Sequence, residues 1–335
     1  MMNETNLLTD SYGRTIRDLR ISLTDRCNFR CFYCLPNGEP PLARKEEILS
    51  FEEIVLAAKV FVSLGISKIR LTGGEPLIRK DIEELVAKIS SLKPRLLDLA
   101  LTTNGHTFAS RARGLRLAGL DRVTLSLDSL DAKKFKKITG VDRLFDVLGA
   151  IEAAKLAGFS PVKVNAVIVR GINDDEVKEL ARFARENEIS MRFIEFMPLD
   201  SGHEWKRELL VSAKEIRESI EEEFELKLKE TSRGSGTAWN YVFADGAPGE
   251  IGIIAPVTEM FCGACSRIRL TADGQIRTCL FSQNEYDLRK IIRSNASFDE
   301  IVQFIRVATL KKELSHRINQ PNFIQPNRSM SFIGG

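Results

Sequence analysis

Histidine and tryptophan are scarce in this 335-residue chain: there are three histidines, His106, His203 and His316, and two tryptophans. A structural zinc site wants four closed ligands, usually from Cys and His. None of the three histidines stands near a cysteine in the sequence, so local Cys/His zinc modules are excluded. No stretch approaches the roughly 20 apolar residues of a membrane span. The opening residues, MMNETNLLTDSYGRT, lack the basic start and apolar run of a secretory signal. A cytoplasmic location and no membrane partner are expected. The net charge is only +3, too little for nucleic-acid affinity from bulk charge. Any anion must be met by a local group of cations. Aromatic residues make up 7% and are not interleaved with a basic stripe as single-strand binding requires; no nucleic-acid partner is expected. Repeats and low-complexity tracts are missing too. The length suits one barrel-sized domain, alone or with a smaller appendage.

What the sequence does have is six cysteines in two groups of three: Cys27, Cys31 and Cys34 spaced C-x3-C-x2-C, and Cys262, Cys265 and Cys279 spaced C-x2-C-x13-C. In a reducing compartment grouped cysteines point to metal or redox chemistry more than to disulfides. Three thiolates suit an iron-sulfur cluster that keeps one iron open to a non-protein ligand. One zinc shared by both groups, or six buried structural thiols, are the alternatives.

Six segments read as strands: 16–23, 68–72, 96–104, 122–128, 162–169 and 191–197. Helical patterns alternate with them. Phe51, Ile54, Val55, Ala58 and Val62 recur at helical spacing, with Ser50 and Glu53 as a capping box and Gly65 as the stop. Further helices are expected over 81–90, 107–118, 144–157, 175–187 and 212–224. This alternation predicts a parallel sheet with crossover helices. Strand parity adds more, because alternate residues point to opposite faces. One face carries Ile21, Leu23, Ile69, Leu71, Leu97, Leu99, Leu101, Val123, Leu125, Leu127, Val162, Val164 and Ala166. The other carries Arg20, Ser22, Lys68, Arg70, Thr72, Asp98, Thr102, Thr124, Ser126, Asp128, Lys163 and Asn165. A parallel sheet covered on both sides should be apolar on both. The polar, mostly basic face suits an incomplete (βα)6 barrel of the TIM type holding a charged ligand, with its active end at the C-terminal mouth of the strands. A sheet with one face in water is the alternative.

A Gly/Ser-rich stretch, TSRGSGT at 231–237, follows and reads as a linker. The domain division is placed at 1–225 and 226–335. Farther on, 267–270 and 275–279 flank Ala272-Asp273-Gly274, a hairpin signal. With Asp273-Gly274 as a two-residue turn, Cys279 would lie opposite Ile268 and return beside Cys262 and Cys265.

The cysteine loop after the first strand, with Tyr33 before its last cysteine, and Thr72-Gly73-Gly74-Glu75-Pro76 after the second strand resemble the two signatures of the radical S-adenosylmethionine superfamily. The wider set GRTIRDLRISLTDRCNFRCFYC, IRLTGGEPLIRKD, LTTNG, SLDSLD, VKVNAVIVRGIND, RFIEFMP, FCGACSRIRLTADGQIRTCLF and a terminal IGG resembles its GTP 3′,8-cyclase family, which acts first in molybdenum cofactor biosynthesis. The likeness runs from about Gly13 to Gly335, is looser around Trp239-Asn240-Tyr241, and departs at Leu35, where the family often has Met.

The resemblance implies two 4Fe-4S clusters, held by Cys27, Cys31 and Cys34 and by Cys262, Cys265 and Cys279. The C-terminal domain would carry the second cluster and cover the barrel mouth. S-adenosylmethionine would meet the open iron of the first cluster and lie around Tyr33, Gly74, Ser126 and Met197. GTP would meet the second cluster, Arg20, Arg70, Thr102, Lys163 and the Arg267-Ile268-Arg269 strand. Arg20 and the Gly334-Gly335 ending are implied in turnover. The implied reaction splits S-adenosylmethionine into methionine and a 5′-deoxyadenosyl radical, removes hydrogen from C3′ of the GTP ribose and joins that carbon to C8 of guanine. An external electron donor and a downstream cyclic pyranopterin monophosphate synthase are implied partners. A homodimer is left open, as is the role of Arg192, between a carboxylate contact and an ion pair.

Overall fold

The structure is a computed structural model that describes residues 7–35, 42–200 and 205–334. In chain order its elements are β1 (Asp18–Ser22), α1 (Phe51–Ser63), β2 (Lys68–Thr72), α2 (Ile82–Ser90), β3 (Asp98–Thr103), α3 (Ala112–Leu117), β4 (Arg122–Ser126), α4 (Ala132–Thr139), α5 (Leu144–Leu156), β5 (Lys163–Ile168), α6 (Val177–Glu186), β6 (Ser190–Glu195) and α7 (Ala213–Glu221). The remainder supplies β7 (Leu226–Leu228), β8 (Trp239–Phe243), β9 (Glu250–Ile254), β10 (Arg267–Leu270), β11 (Gln275–Arg277), β12 (Tyr286–Asp287), α8 (Leu288–Arg293), α9 (Phe298–Leu310) and α10 (Met330–Ile333).

Local chemistry accounts for the helix ends. Glu53 N–H donates to Ser50 Oγ at 3.2 Å and Ser50 N–H to Glu53 Oε2 at 2.7 Å, the expected capping box. Gly65, at φ +93°, takes the left-handed turn that stops α1. The lysine-rich α4 was not expected from the pattern. It starts where Asp131 accepts the Lys134 N–H at 2.8 Å, ends at Gly140 with φ +75°, and buries Phe135 and Ile138. The helix expected over 107–118 starts only at Ala112. Before it, three-residue steps from Phe108 to Gly105 and from Arg111 to Phe108 make turns that sink the Phe108 ring into the core.

The predicted apolar parity fills that core. Ile21, Leu23, Ile69, Leu71, Leu99, Leu101, Val123, Leu125, Val164 and Ala166 pack with the inner faces of the helices, each but the small Ala166 contributing about 1.5–3 kcal/mol by leaving water. Leu97 is the exception, being 71% exposed, because β3 begins only at Asp98.

Strands β1 to β6 run parallel in sequence order, the six-stranded arrangement expected. The same sheet continues past residue 225 at both sides. β9 adds parallel to β6, and β10 adds parallel to β1. Antiparallel β8 and β7 then extend one side, and β11 and β12 the other. No helix among the described residues is long and apolar enough to cross a membrane.

Candidate active site

The polar parity of the strands becomes the wall of one cavity of about 510 Å³. Arg20, Lys68, Arg70, Arg122, Lys163, Arg192, Arg267 and Arg269 all line it, against Asp18, Asp98 and Asp128. Arg122 binds Asp98 through its Nε at 2.7 Å, and Arg70 Nη1 donates to the Thr102 and Thr124 hydroxyls at 2.9 and 3.0 Å. The other cations repel one another. Burial, then Arg70 and Arg267, bring Arg20 down to about 9; burial, then Arg20, brings Arg269 to about 9 as well. Lys163 falls to about 7 through burial and the charges of Arg192, Arg122 and Arg70. Buried charge that exceeds its counter-charge is costly, and an anion in the cavity would relieve that cost. Arg192 and Arg269 each bury an Nε with no partner among the described residues, as Asn165 does its Oδ1. Arg192 makes no ion pair there; burial, then Arg122, lowers it to about 10.

All six cysteines line this same cavity. The first triad follows β1 directly, on a loop supported by the glycine turn after β2. Gly74 N–H donates to the Thr24 carbonyl at 2.7 Å and Glu75 N–H to the Arg26 carbonyl at 2.8 Å. A Cβ at Gly74 would come within 2.2 Å of the Arg26 carbonyl oxygen, so only glycine permits this approach. Glu75 ties the turn to β3, accepting from the Thr103 hydroxyl at 2.6 Å and the Asn104 N–H at 2.7 Å; burial lifts it to about 7. Burial pushes Cys27 up to about 11 and Cys34 to about 12. Such thiols lose their protons only to a strong cation, and a metal cluster supplies one. No three His, Cys, Asp or Glu side chains among the described residues are grouped tightly enough to hold a single ion. Each triad instead borders open cavity volume, which suits a body larger than one zinc. Beside the first triad the Tyr33 hydroxyl donates to Asp128 Oδ2 at 2.7 Å, and Asp128 Oδ1 accepts the Val167 N–H at 2.8 Å.

The second triad is drawn together by the β10–β11 hairpin, with a register one residue from that expected. Arg269 pairs with Arg277 and Leu270 with Ile276. The loop therefore has three residues, Ala272-Asp273-Gly274, with Gly274 at φ +80°. A left-handed glycine at the third position lets a three-residue turn match the strand twist. Extending the register sets Cys279 opposite Arg267, where the two-residue turn had put Ile268. Ile268 itself packs into the core beside Leu19, its neighbour across the parallel pairing. Its side chain cannot reach the cavity, because Arg267 and Arg269 take the facing positions on either side of it.

The loop of Cys262 is pinned from below by Arg14, whose Nη1 donates to the Cys262 and Leu314 carbonyls at 2.9 and 2.8 Å. Burial raises the Cys265 thiol, but Arg267 and Lys312 outweigh it and bring it to about 7. Burial raises Cys262 and Cys279.

The remaining expected residues fall as follows. Tyr33, Gly74, Ser126 and Met197 line the cavity, as do Thr102 and Lys163. So do Met330 and Ser331 of the tail, and Ser331 bonds the Cys34 thiol. Gly334 is buried behind them, against Thr72 and Ser22 at the ends of β2 and β1. Gly335 and His203 lie outside the described residues. The stretch read as a linker instead contributes Ser235, Gly236 and Thr237 to the wall, where the Ser235 carbonyl accepts from Arg267 at 2.8 Å. Arg122, Lys312 and Ser331 were not singled out by the sequence. Arg122 shares the parity of Thr124 and could have been found that way; Lys312 and Ser331 carry no local signal.

Residues 21–184 match the Radical SAM superfamily and 189–318 match Molybdenum Cofactor Synthesis C. The chain is 47% identical over 332 residues to a GTP 3′,8-cyclase of Streptomyces coelicolor, covering 98% of this chain and 97% of the relative. The chain belongs to the GTP 3′,8-cyclase family. A second member, GTP 3′,8-cyclase 2 of Mycobacterium tuberculosis, is 45% identical, with 99% and 93% covered. Outside the GTP 3′,8-cyclases, Streptococcus suis SuiB bound to S-adenosylmethionine shares the fold, with a TM-score of 0.61, 16% identity, and 94% of this chain and 77% of SuiB covered. The family's two matched segments each contain one cysteine triad.

Proposed function

We propose that this protein cyclises GTP to 3′,8-cyclo-7,8-dihydroguanosine 5′-triphosphate, the first step of molybdenum cofactor biosynthesis, as S-adenosylmethionine is cleaved to methionine and 5′-deoxyadenosine. One observation carries the reading: both cysteine triads and a basic wall open into a single cavity. Family membership supports it.

Cys27, Cys31 and Cys34 hold one 4Fe-4S cluster and Cys262, Cys265 and Cys279 the other. When bound, the clusters and S-adenosylmethionine supply one-electron and radical chemistry at an unactivated carbon. The chain's own work is binding, orientation and exclusion of water. Tyr33, Gly74, Ser126 and Met197 border the S-adenosylmethionine end. Arg20, Arg70, Lys163, Arg267 and Arg269 receive the triphosphate, since several charge-assisted contacts suit its spread charge. Ile268 takes no side-chain part, since it faces the core between the two arginines. Residues up to Glu225 contribute the first triad, and those beyond it the second triad and the tail. The tail lends Met330 and Ser331 to the cavity wall, and Gly334 seats its end against Thr72 and Ser22. An external one-electron donor and a cyclic pyranopterin monophosphate synthase that takes the product complete the reading, with a homodimer as one assembly.

Anaerobic reconstitution followed by reductant, S-adenosylmethionine and each nucleotide in turn tests it. The expected result is 5′-deoxyadenosine with a cyclised nucleotide formed from GTP alone. Release of 5′-deoxyadenosine without that nucleotide would leave only the superfamily assignment.

A further inference from the structure

Lys312 follows the C-terminal end of α9 and is 3% exposed. Its ammonium donates to the Arg267 carbonyl at 2.9 Å and to the Thr278 carbonyl. No carboxylate lies within ion-pair distance of it among the described residues. A buried ammonium satisfied only by neutral oxygens keeps an uncompensated charge, which is costly unless an anion stands near. The two carbonyls it holds are those of Arg267, two residues beyond Cys265, and of Thr278, which immediately precedes Cys279. Its charge acts on all three thiols of the second triad, and its side chain lines the cavity. The nearest acid in sequence, Glu313, turns instead to the Thr278 and Ser282 hydroxyls, at 2.7 and 2.5 Å.

We infer that Lys312 is the counter-charge of the second cluster: it braces the two ligand arms and stabilises the cluster's one-electron-reduced state. This rests on the two-cluster reading above. Three thiolates around a cluster leave a net negative charge. One electron taken from an external one-electron donor adds one more, and a fixed cation beside it favours that state. Lys312 acts through the cluster and is a positioning residue, not one that touches the reacting carbons.

The test uses the full chain with Cys27, Cys31 and Cys34 replaced by Ala, so that only the second cluster gives a signal, and follows its reduction by spectroscopic redox titration. In K312Q the ratio of reduced to oxidised cluster at a fixed potential is expected to fall about tenfold, equal to about 59 mV for a one-electron couple. K312R should stay near the parent. E313Q, which removes a neighbouring negative charge, should shift the ratio the other way. An unchanged ratio in K312Q at full iron content overturns the inference. If K312Q takes up no iron, E313Q decides: no shift there overturns it as well. A parent protein that binds no iron at the second triad fails the two-cluster reading itself, a different outcome.

Discussion

Arg328 grips Asp273 with two hydrogen bonds, Nη1 to Oδ1 at 3.0 Å and Nη2 to Oδ2 at 2.9 Å. Its Nε also lies 2.8 Å from Glu285, which holds Arg277 at 2.6 Å. The tail is thereby fastened to the turn of the hairpin that leads to Cys279. Charge-assisted pairs of this geometry contribute about 2 kcal/mol. R328Q is therefore expected to lower the docked fraction of the tail by roughly thirtyfold relative to the undocked one. Faster carboxypeptidase release of the last residues, with unchanged iron content, would report this. D273N should act in the same direction but less, because Arg328 keeps Glu285, and the double variant should be little worse than R328Q alone.

Gly334 adopts φ +79°, and a Cβ there would meet Thr72 Cγ2 at 2.8 Å and Ser22 Cβ at 3.2 Å. G334A should therefore lift the end of the tail from the mouths of β1 and β2. Removing Gly334 and Gly335 should leave both clusters in place and reduce product by at least about tenfold. Iron analysis beside product assay checks both variants. Full product yield after the deletion would deny the tail a part in turnover.

Lys163 should make nucleotide binding depend on pH. With its folded value near 7 against an ordinary 10.5, the free protein holds fewer protons than the unfolded chain between those limits, so this group favours folding more as pH rises through that window. Below about 7 the buried charge is at its most costly. K163M should therefore melt higher than the parent near pH 6, with the gap closing toward about pH 10. GTP binding runs the opposite way, because the triphosphate favours the protonated amine. Affinity in the parent should fall up to about tenfold per unit above pH 7, and K163M should lose that part of the dependence.

The triads should be separable. Replacing Cys262, Cys265 and Cys279 by Ala should lower bound iron from about eight to about four. S-adenosylmethionine cleavage should persist while cyclisation is lost. Chromatography for 5′-deoxyadenosine and for the cyclised nucleotide distinguishes the two.

Much of this site was legible because strand parity has period two: Arg20, Arg70, Thr102 and Lys163 faced the cavity as soon as their strands were drawn. The same rule, had it been applied to β10, would have set Ile268 aside, since it lies between two cavity arginines and faces the core. Local signals found the Ser50 cap but missed α4, whose four lysines hide a short apolar face of Phe135 and Ile138. The hairpin was recognised, yet its register depends on whether Ala272 belongs to strand or turn, and backbone geometry at Gly274 decided that. Least legible were contacts between distant segments. Nothing local in Lys312 announces Arg267, and nothing in 231–237 says that Ser235 will face the substrate wall.

The placement of β9 beside β6 and of β10 beside β1 has a consequence for how the chain can be divided. A protein ending after α7 would keep the six central strands but leave two of them with open rows of main-chain donors and acceptors, the template on which strands of other molecules add. The last third of the chain is thus also the selvedge of the sheet, and shortened versions should fail first by sticking to one another.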